Sequence, residues 1–130
     1  MASFGSYLQK RFRSFRYAFR GIYILFQTQA NARIHLLAMG VLGAVGYAVR
    51  LTTTEWCLIL ICMALVLGME ACNTALEFLA DKVSPEHHDL IGKSKDVAAA
   101  AVLLSVILCG IVWALIHVPK FWALWSGTHP

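Results

Sequence analysis

The chain has 130 residues, of which 59% are hydrophobic and 14% charged, and carries a formal net charge of +4. A soluble domain holds about a quarter charged residues, and one small core cannot hide this much apolar surface. The composition therefore excludes an ordinary soluble domain and points to a helical integral membrane protein, one domain over residues 1–130. Charge is unevenly placed: six of the eleven Lys and Arg residues lie between Lys10 and Arg33, and six of the seven acids between Glu70 and Asp96. A basic block beside apolar segments fits an anionic-lipid surface, and nucleic acid is not expected as a partner.

In chain order, Phe4, Leu8, Phe12, Phe15, Phe19, Ile22 and Phe26 recur at helical spacing. Lys10, Arg13, Arg16, Tyr17 and Arg20 fall mostly on the other side. This predicts an amphipathic helix over about 4–27 that lies in the membrane interface. Arginines interrupt the unbroken apolar core that a secretory signal needs. Gln27 to Arg33 is a polar break, followed by a first predicted span over about 30–49. Gly40, Gly43 and Gly46 thin one side of it, so a neighbouring helix can approach closely.

Arg50 to Glu55 reads as a polar turn, with Thr54 the expected N-cap of a second span over about 55–82. Trp56 sits where interfacial aromatics are found. Ser84 to Lys95 reads as a long polar loop, with Pro85 ending the second span. A third span is predicted over about 96–118, stopped by Pro119, with Trp122 and Trp125 as interfacial anchors. The expected fold is all-α: an interfacial helix and three transmembrane helices. Nine of the eleven basic residues lie in the N-terminal segment and the 82–95 region, so the positive-inside rule puts both in the cytoplasm. Cys57, Cys62, Cys72 and Cys109 have no metal-ligand spacing and read as small apolar residues.

Trp56 to Met69 carries no charge, and Glu70, Asn73 and Glu77 follow directly. A carboxylate at membrane depth costs on the order of 3 kcal/mol or more and usually marks function. The spacing i, i+3, i+7 puts the three on one helix face. At ~1.5 Å per residue, Glu70 lies roughly 20 Å beyond Trp56, within a hydrocarbon layer about 30 Å thick. Glu77 reaches headgroup level. Glu77, Asp81, Glu86 and Asp96 gather at that end beside Lys93 and Lys95. Carboxylates for Mg²⁺ and lysines for phosphate oxygens are what phosphoryl transfer requires. Glu70, set deeper, is placed to act as a general base on a hydroxyl embedded in lipid. Gly92-Lys93-Ser94 resembles the end of a P-loop, but His87 stands where its first Gly belongs and no strand precedes it.

The motif Glu70-x-x-Asn73-Thr74-Ala75-Leu76-Glu77-x-x-x-Asp81, followed by Lys95-Asp96 and a small-residue helix, resembles the bacterial diacylglycerol kinase and undecaprenol kinase family. The resemblance covers roughly residues 10–118. It implies a homotrimer in the bacterial cytoplasmic (inner) membrane, multi-pass, with active sites between subunits on the cytoplasmic side. It implies transfer of the ATP γ-phosphate to the terminal hydroxyl of a membrane lipid, undecaprenol or diacylglycerol, with Mg²⁺. Asn31-Ala32-Arg33-Ile34-His35-Leu36 and Thr54-Glu55-Trp56 look more like the undecaprenol branch.

By that resemblance Glu70 is the general base and, with Arg33, faces the lipid substrate. Glu77 ligates the metal beside the nucleotide. Asn73, Lys95 and Asp96 hold the nucleotide and its phosphates, and Lys10, Tyr17, Glu86, His87 and His88 match nucleotide-contacting positions. One position departs: this chain has Gln29 where the family usually has a Glu that shares the metal. Gln offers a neutral oxygen and no charge, which raises the alternative of a non-catalytic trimeric membrane protein of the same fold.

Overall fold

A computed structural model describes residues 4–86 and 88–127. Among these residues the structure is all-helical. It comprises α1 (Phe4–Thr28), α2 (Ala30–Ala48), α3 (Thr53–Val83) and α4 (Asp89–Ser126). The main packing is α3 against α4, with lighter contacts of α2 on α3 and α1 on α2. α3 and α4 are each long and apolar enough to cross a membrane. α2 has 19 residues, and Asn31, Arg33 and His35 make its first turns polar.

The burial pattern is inverted relative to a soluble protein. Glu70, Asn73, Thr74, Ser105 and His117 are buried, whereas Leu103, Leu104, Leu108, Ile111 and Leu115 along α4 are exposed. Large continuous apolar surface of this kind belongs against lipid or another chain. α1 keeps its predicted character, and its Phe12, Phe15 and Phe19 are all exposed. The polar break after it is one residue long. Gln29 alone is extended (φ −103°, ψ 115°), and its N–H still bonds Leu25 O at 2.9 Å.

Three predicted boundaries are corrected. The N-cap of α3 is Thr52, not Thr54. Thr52 has Glu55 three residues on, so a reciprocal capping box forms: Glu55 Oε2 accepts from Thr52 N at 2.7 Å, and Thr52 Oγ1 accepts from Glu55 N at 3.3 Å. Thr54 lies inside the helix. The loop expected over 84–95 ends at His88, because His88 Nδ1 accepts from Leu90 N at 3.3 Å and caps α4. Asp89 in the first turn complements the positive helix end. Finally, α4 runs through Pro119 to Ser126. Proline removes one backbone donor, but Lys120 just beyond it is fixed to Glu55 at 3.0 Å. Phe121 also stays beside the stacked rings of Trp113 and His117.

The cysteines are free, with Cys57 and Cys72 exposed. Cys109 Sγ lies 3.6 Å from Cys62 O, at the α3–α4 contact.

Candidate active site

One face of α3 carries both the packing and the chemistry. Ile59 and Val66 are buried on it, and further along the same face turns polar at Glu70, Asn73 and Glu77. Glu70 is 1% exposed and Asn73 7%. An open cavity of about 350 Å³ lies against this polar stretch. Asn31, Ile34 and His35 of α2 line it together with Glu70, Asn73 and Glu77, and Ala99 and Val102 of α4 close it. Ala99 presents only a methyl group to that wall.

The hydrogen bonds fix how the polar groups point. Asn73 Nδ2 donates to Glu77 Oε1 at 2.9 Å. The amide nitrogen must face the carboxylate, because only that end of the side chain donates. Asn73 Oδ1 is consequently left buried with no partner. A buried acceptor without a donor costs about 1–3 kcal/mol, so this oxygen is the clearest vacant valence in the site. Thr74 Oγ1 donates to Glu70 O at 2.9 Å, which ties the backbone beside the buried carboxylate.

A second cavity of about 250 Å³, almost wholly apolar, continues along α3 on the Ile59 side. Ile59, Cys62, Met63 and Val66 line it from α3, and His35 and Val106 belong to both cavities. The apolar groove between α2, α3 and α4 thus adjoins the carboxylate-bearing chamber at His35 and Val106.

The remaining predicted residues are spread around this centre. Lys95 Nζ is 2.9 Å from Asp81 Oδ1, bridging the end of α3 to the start of α4. This hydrogen bond and the Asp81 charge hold the Lys95 ammonium above its ordinary pKa, so it stays charged throughout neutral pH. Asp96 is exposed and does not line the cavity. Arg33 is exposed on α2, Lys10 and Tyr17 are exposed on α1, and none of the three reaches the cavity. Glu86 is exposed, and its backbone oxygen accepts from Ser84 Oγ at 2.9 Å. His88 serves as the α4 cap, and His87 lies outside the described residues. Gln29 is half-buried at the α1–α2 junction, makes no side-chain cap bond and does not line the cavity.

Two cavity residues escaped the site assignment. Asn31 and His35 are four apart on α2, so they share a face. Their polarity in the first turns of an apolar helix was the available signal. Among the described residues no three His, Cys, Asp or Glu side chains converge as a metal-binding group. The oxygen pair of Glu77 and Asn73 Oδ1 nonetheless suits Mg²⁺, which is commonly held by one or two carboxylates plus substrate phosphates.

Residues 16–117 match the sequence model of the family described as prokaryotic diacylglycerol kinase. The chain belongs to this family. It is 34% identical over 113 residues to the undecaprenol kinase of Bacillus subtilis, covering 87% of this chain and 92% of that protein. It is 35% identical over 112 residues to a diacylglycerol kinase of Synechocystis sp., covering 85% of this chain and 64% of that one. A diacylglycerol kinase of Haemophilus influenzae is 28% identical over 100 residues, with 77% and 85% covered. The family and these named members are lipid kinases, and with the two apolar helices membership makes the chain a membrane protein.

Proposed function

We propose that this protein transfers the γ-phosphoryl group of ATP to the terminal hydroxyl of a membrane lipid, with undecaprenol the first substrate to test and diacylglycerol the second. The observation that carries the reading is the cavity holding Glu70, Asn73 and Glu77, with one buried oxygen left unpaired and an apolar groove adjoining it. A lipid alcohol has two such parts, a reactive polar head and a long apolar body. The relative named undecaprenol kinase, aligned over 92% of its length, supports the choice of first substrate.

In this reading the lipid tail lies in the groove and its hydroxyl reaches Glu70. Glu70 accepts the hydroxyl proton while the oxygen attacks the γ-phosphorus. The bond from that phosphorus to the bridging oxygen of ADP breaks, and ADP carries the electron pair away. Glu77 and Asn73 Oδ1 would hold Mg²⁺, which when bound neutralises phosphate charge. Lys95 and Asp96 serve the nucleotide from the head of α4, with Lys10, Tyr17, Glu86, His87 and His88 around it. Arg33 faces the lipid headgroup. The protein would cross the membrane three times, α2 included, as a homotrimer with this end in the cytoplasm. The clustering of basic residues in α1 and around Lys82, Lys93 and Lys95 supports that orientation.

The non-catalytic reading rests on Gln29 alone. Its place outside the cavity lining is consistent with a secondary role in metal binding, so the kinase reading is preferred. The test is to supply protein in lipid with γ-labelled ATP, Mg²⁺ and either undecaprenol or diacylglycerol. Label in one lipid assigns the substrate; label in neither, across several divalent metals, overturns the kinase reading.

A further inference from the structure

The end of the bundle opposite Glu70 holds a second polar feature. α2 closes with a Schellman turn: Leu51 N bonds Gly46 O at 3.1 Å and Arg50 N bonds Tyr47 O at 3.2 Å. Leu51 and Trp56 pack closely on Gly46: a Cβ there would lie 2.7 Å from Leu51 Cδ1 and 3.2 Å from Trp56 Cη2, so the leucine side chain would have to shift. The residue after the cap in this motif adopts the left-handed conformation and is ordinarily glycine. Here it is Arg50, at φ 55°, the one non-glycine with positive φ among the described residues. A β-carbon is disfavoured in that conformation. Stability alone would select glycine, so the arginine side chain is held at a local cost.

What it is held for follows from its surroundings. Tyr47, Ala48, Arg50, Leu51 and Trp56 line a cavity of about 470 Å³ with substantial polar wall. Among the described residues the Arg50 guanidinium has no ion-pair partner. The acid nearest in sequence, Glu55, is engaged by Thr52 and Lys120. The site is therefore an uncompensated planar cation flanked by two aromatics of the type found at membrane interfaces. A guanidinium fork matches phosphate oxygens two at a time.

We propose that Arg50, with Tyr47 and Trp56 beside it, binds the phosphate group of an anionic phospholipid at the end of the bundle opposite the Glu70 cavity. The turn fixes the Arg50 backbone and so the direction in which its side chain leaves, the aromatics carry the upper part of the acyl region, and the headgroup phosphate neutralises the arginine. The site is independent of the kinase chemistry.

The test compares wild type with Arg50→Gly in detergent, by native mass spectrometry and thermal melting, titrating phosphatidylglycerol, phosphatidylcholine and inorganic phosphate separately. Lipid binding to the basic face of α1 is common to both proteins and cancels in the comparison. Because glycine favours the left-handed turn, the lipid-free variant should melt at or above the wild-type temperature. Its affinity for phosphatidylglycerol should fall about fivefold, as expected for one arginine at an anionic surface, with phosphatidylcholine and inorganic phosphate showing no such difference. Equal phosphatidylglycerol binding by the two proteins would overturn the proposal. So would inorganic phosphate protecting wild type as well as the lipid does, since the source would then be a soluble anion.

Discussion

The apolar run of α3 is bounded by a glutamate on each side, Glu55 before it and Glu70 after it, and the chain treats them differently. Glu55 is engaged through one oxygen: Oε2 takes the Thr52 N–H at 2.7 Å, the Thr52 hydroxyl at 2.9 Å and the Lys120 ammonium at 3.0 Å. Glu70 and Glu77 face a cavity, and Asn73, the one side chain bonded to Glu77 among the described residues, has its own oxygen left unpaired. The first glutamate closes a cap and fastens α4 beyond Pro119. The second pair keeps acceptor capacity in reserve where a ligand can use it. A carboxylate at a membrane helix is thus not a site by itself; the site proposed above rests on carboxylates that line a cavity. An unpaired nitrogen alone does not qualify either. His117 Nε2 and Trp113 Nε1 are buried without partners, but their rings are stacked at 4.4 Å and the cavity that Trp113 borders is apolar.

Substitutions at the two ends should separate these roles. Glu70→Gln keeps shape and removes the base, so turnover should fall by at least about 100-fold with the melting temperature held. A loss of folding instead would make Glu70 structural. Glu77→Gln should raise the Mg²⁺ concentration needed for half-maximal rate on the order of tenfold or more, read from a metal titration at saturating lipid. At the other end, Glu55→Gln weakens both the capping box and the link to Lys120. It should cost about 1 kcal/mol of stability, measured by thermal melting in detergent, while turnover stays within about twofold because no transition-state contact is lost. The smallest effect is expected from Gln29→Glu, a modest gain in Mg²⁺ affinity or rate. No gain would show that the family's usual carboxylate is dispensable in this chain.

A pH series sharpens the Glu77 end. The Lys95 pKa is raised above its ordinary value of 10.5 by Asp81. Whatever the bridge contributes to stability is fully present below the unfolded lysine pKa and is lost as pH rises through the folded one. Melting temperature should therefore be insensitive to this pair near neutrality and respond to it only in strongly alkaline solution.

The sequence exposes most of this comparison. The apolar run from Trp56 to Met69 and the i, i+3, i+7 spacing of Glu70, Asn73 and Glu77 identify the polar face before any coordinates. The four helices appear in the expected order because periodicity and polar breaks are local signals. The misplaced boundaries share a cause: residues with two compatible uses. Thr52 and Thr54 both cap helices, and only the three-residue offset to Glu55 distinguishes them. Gly92 to Lys95 is polar enough for a loop yet helical once His88 caps it. Pro119 ends an isolated helix but not one whose next turn is fixed by Lys120 and Phe121. Asn31 and His35 join the cavity only through the approach of α2 to α3, which no local pattern encodes. Gln29 shows the converse, since its sequence position implies a site role and its side chain sits at a helix junction.

The central claim is that the Glu70–Glu77 face does chemistry while Glu55 holds structure. Its most direct test is phosphoryl transfer from γ-labelled ATP into undecaprenol and diacylglycerol by wild type, Glu70→Gln and Glu55→Gln, with melting temperatures recorded on the same preparations. The account predicts that Glu70→Gln loses transfer and keeps its melting temperature, while Glu55→Gln keeps transfer and melts lower. Near-wild-type transfer by Glu70→Gln would contradict it.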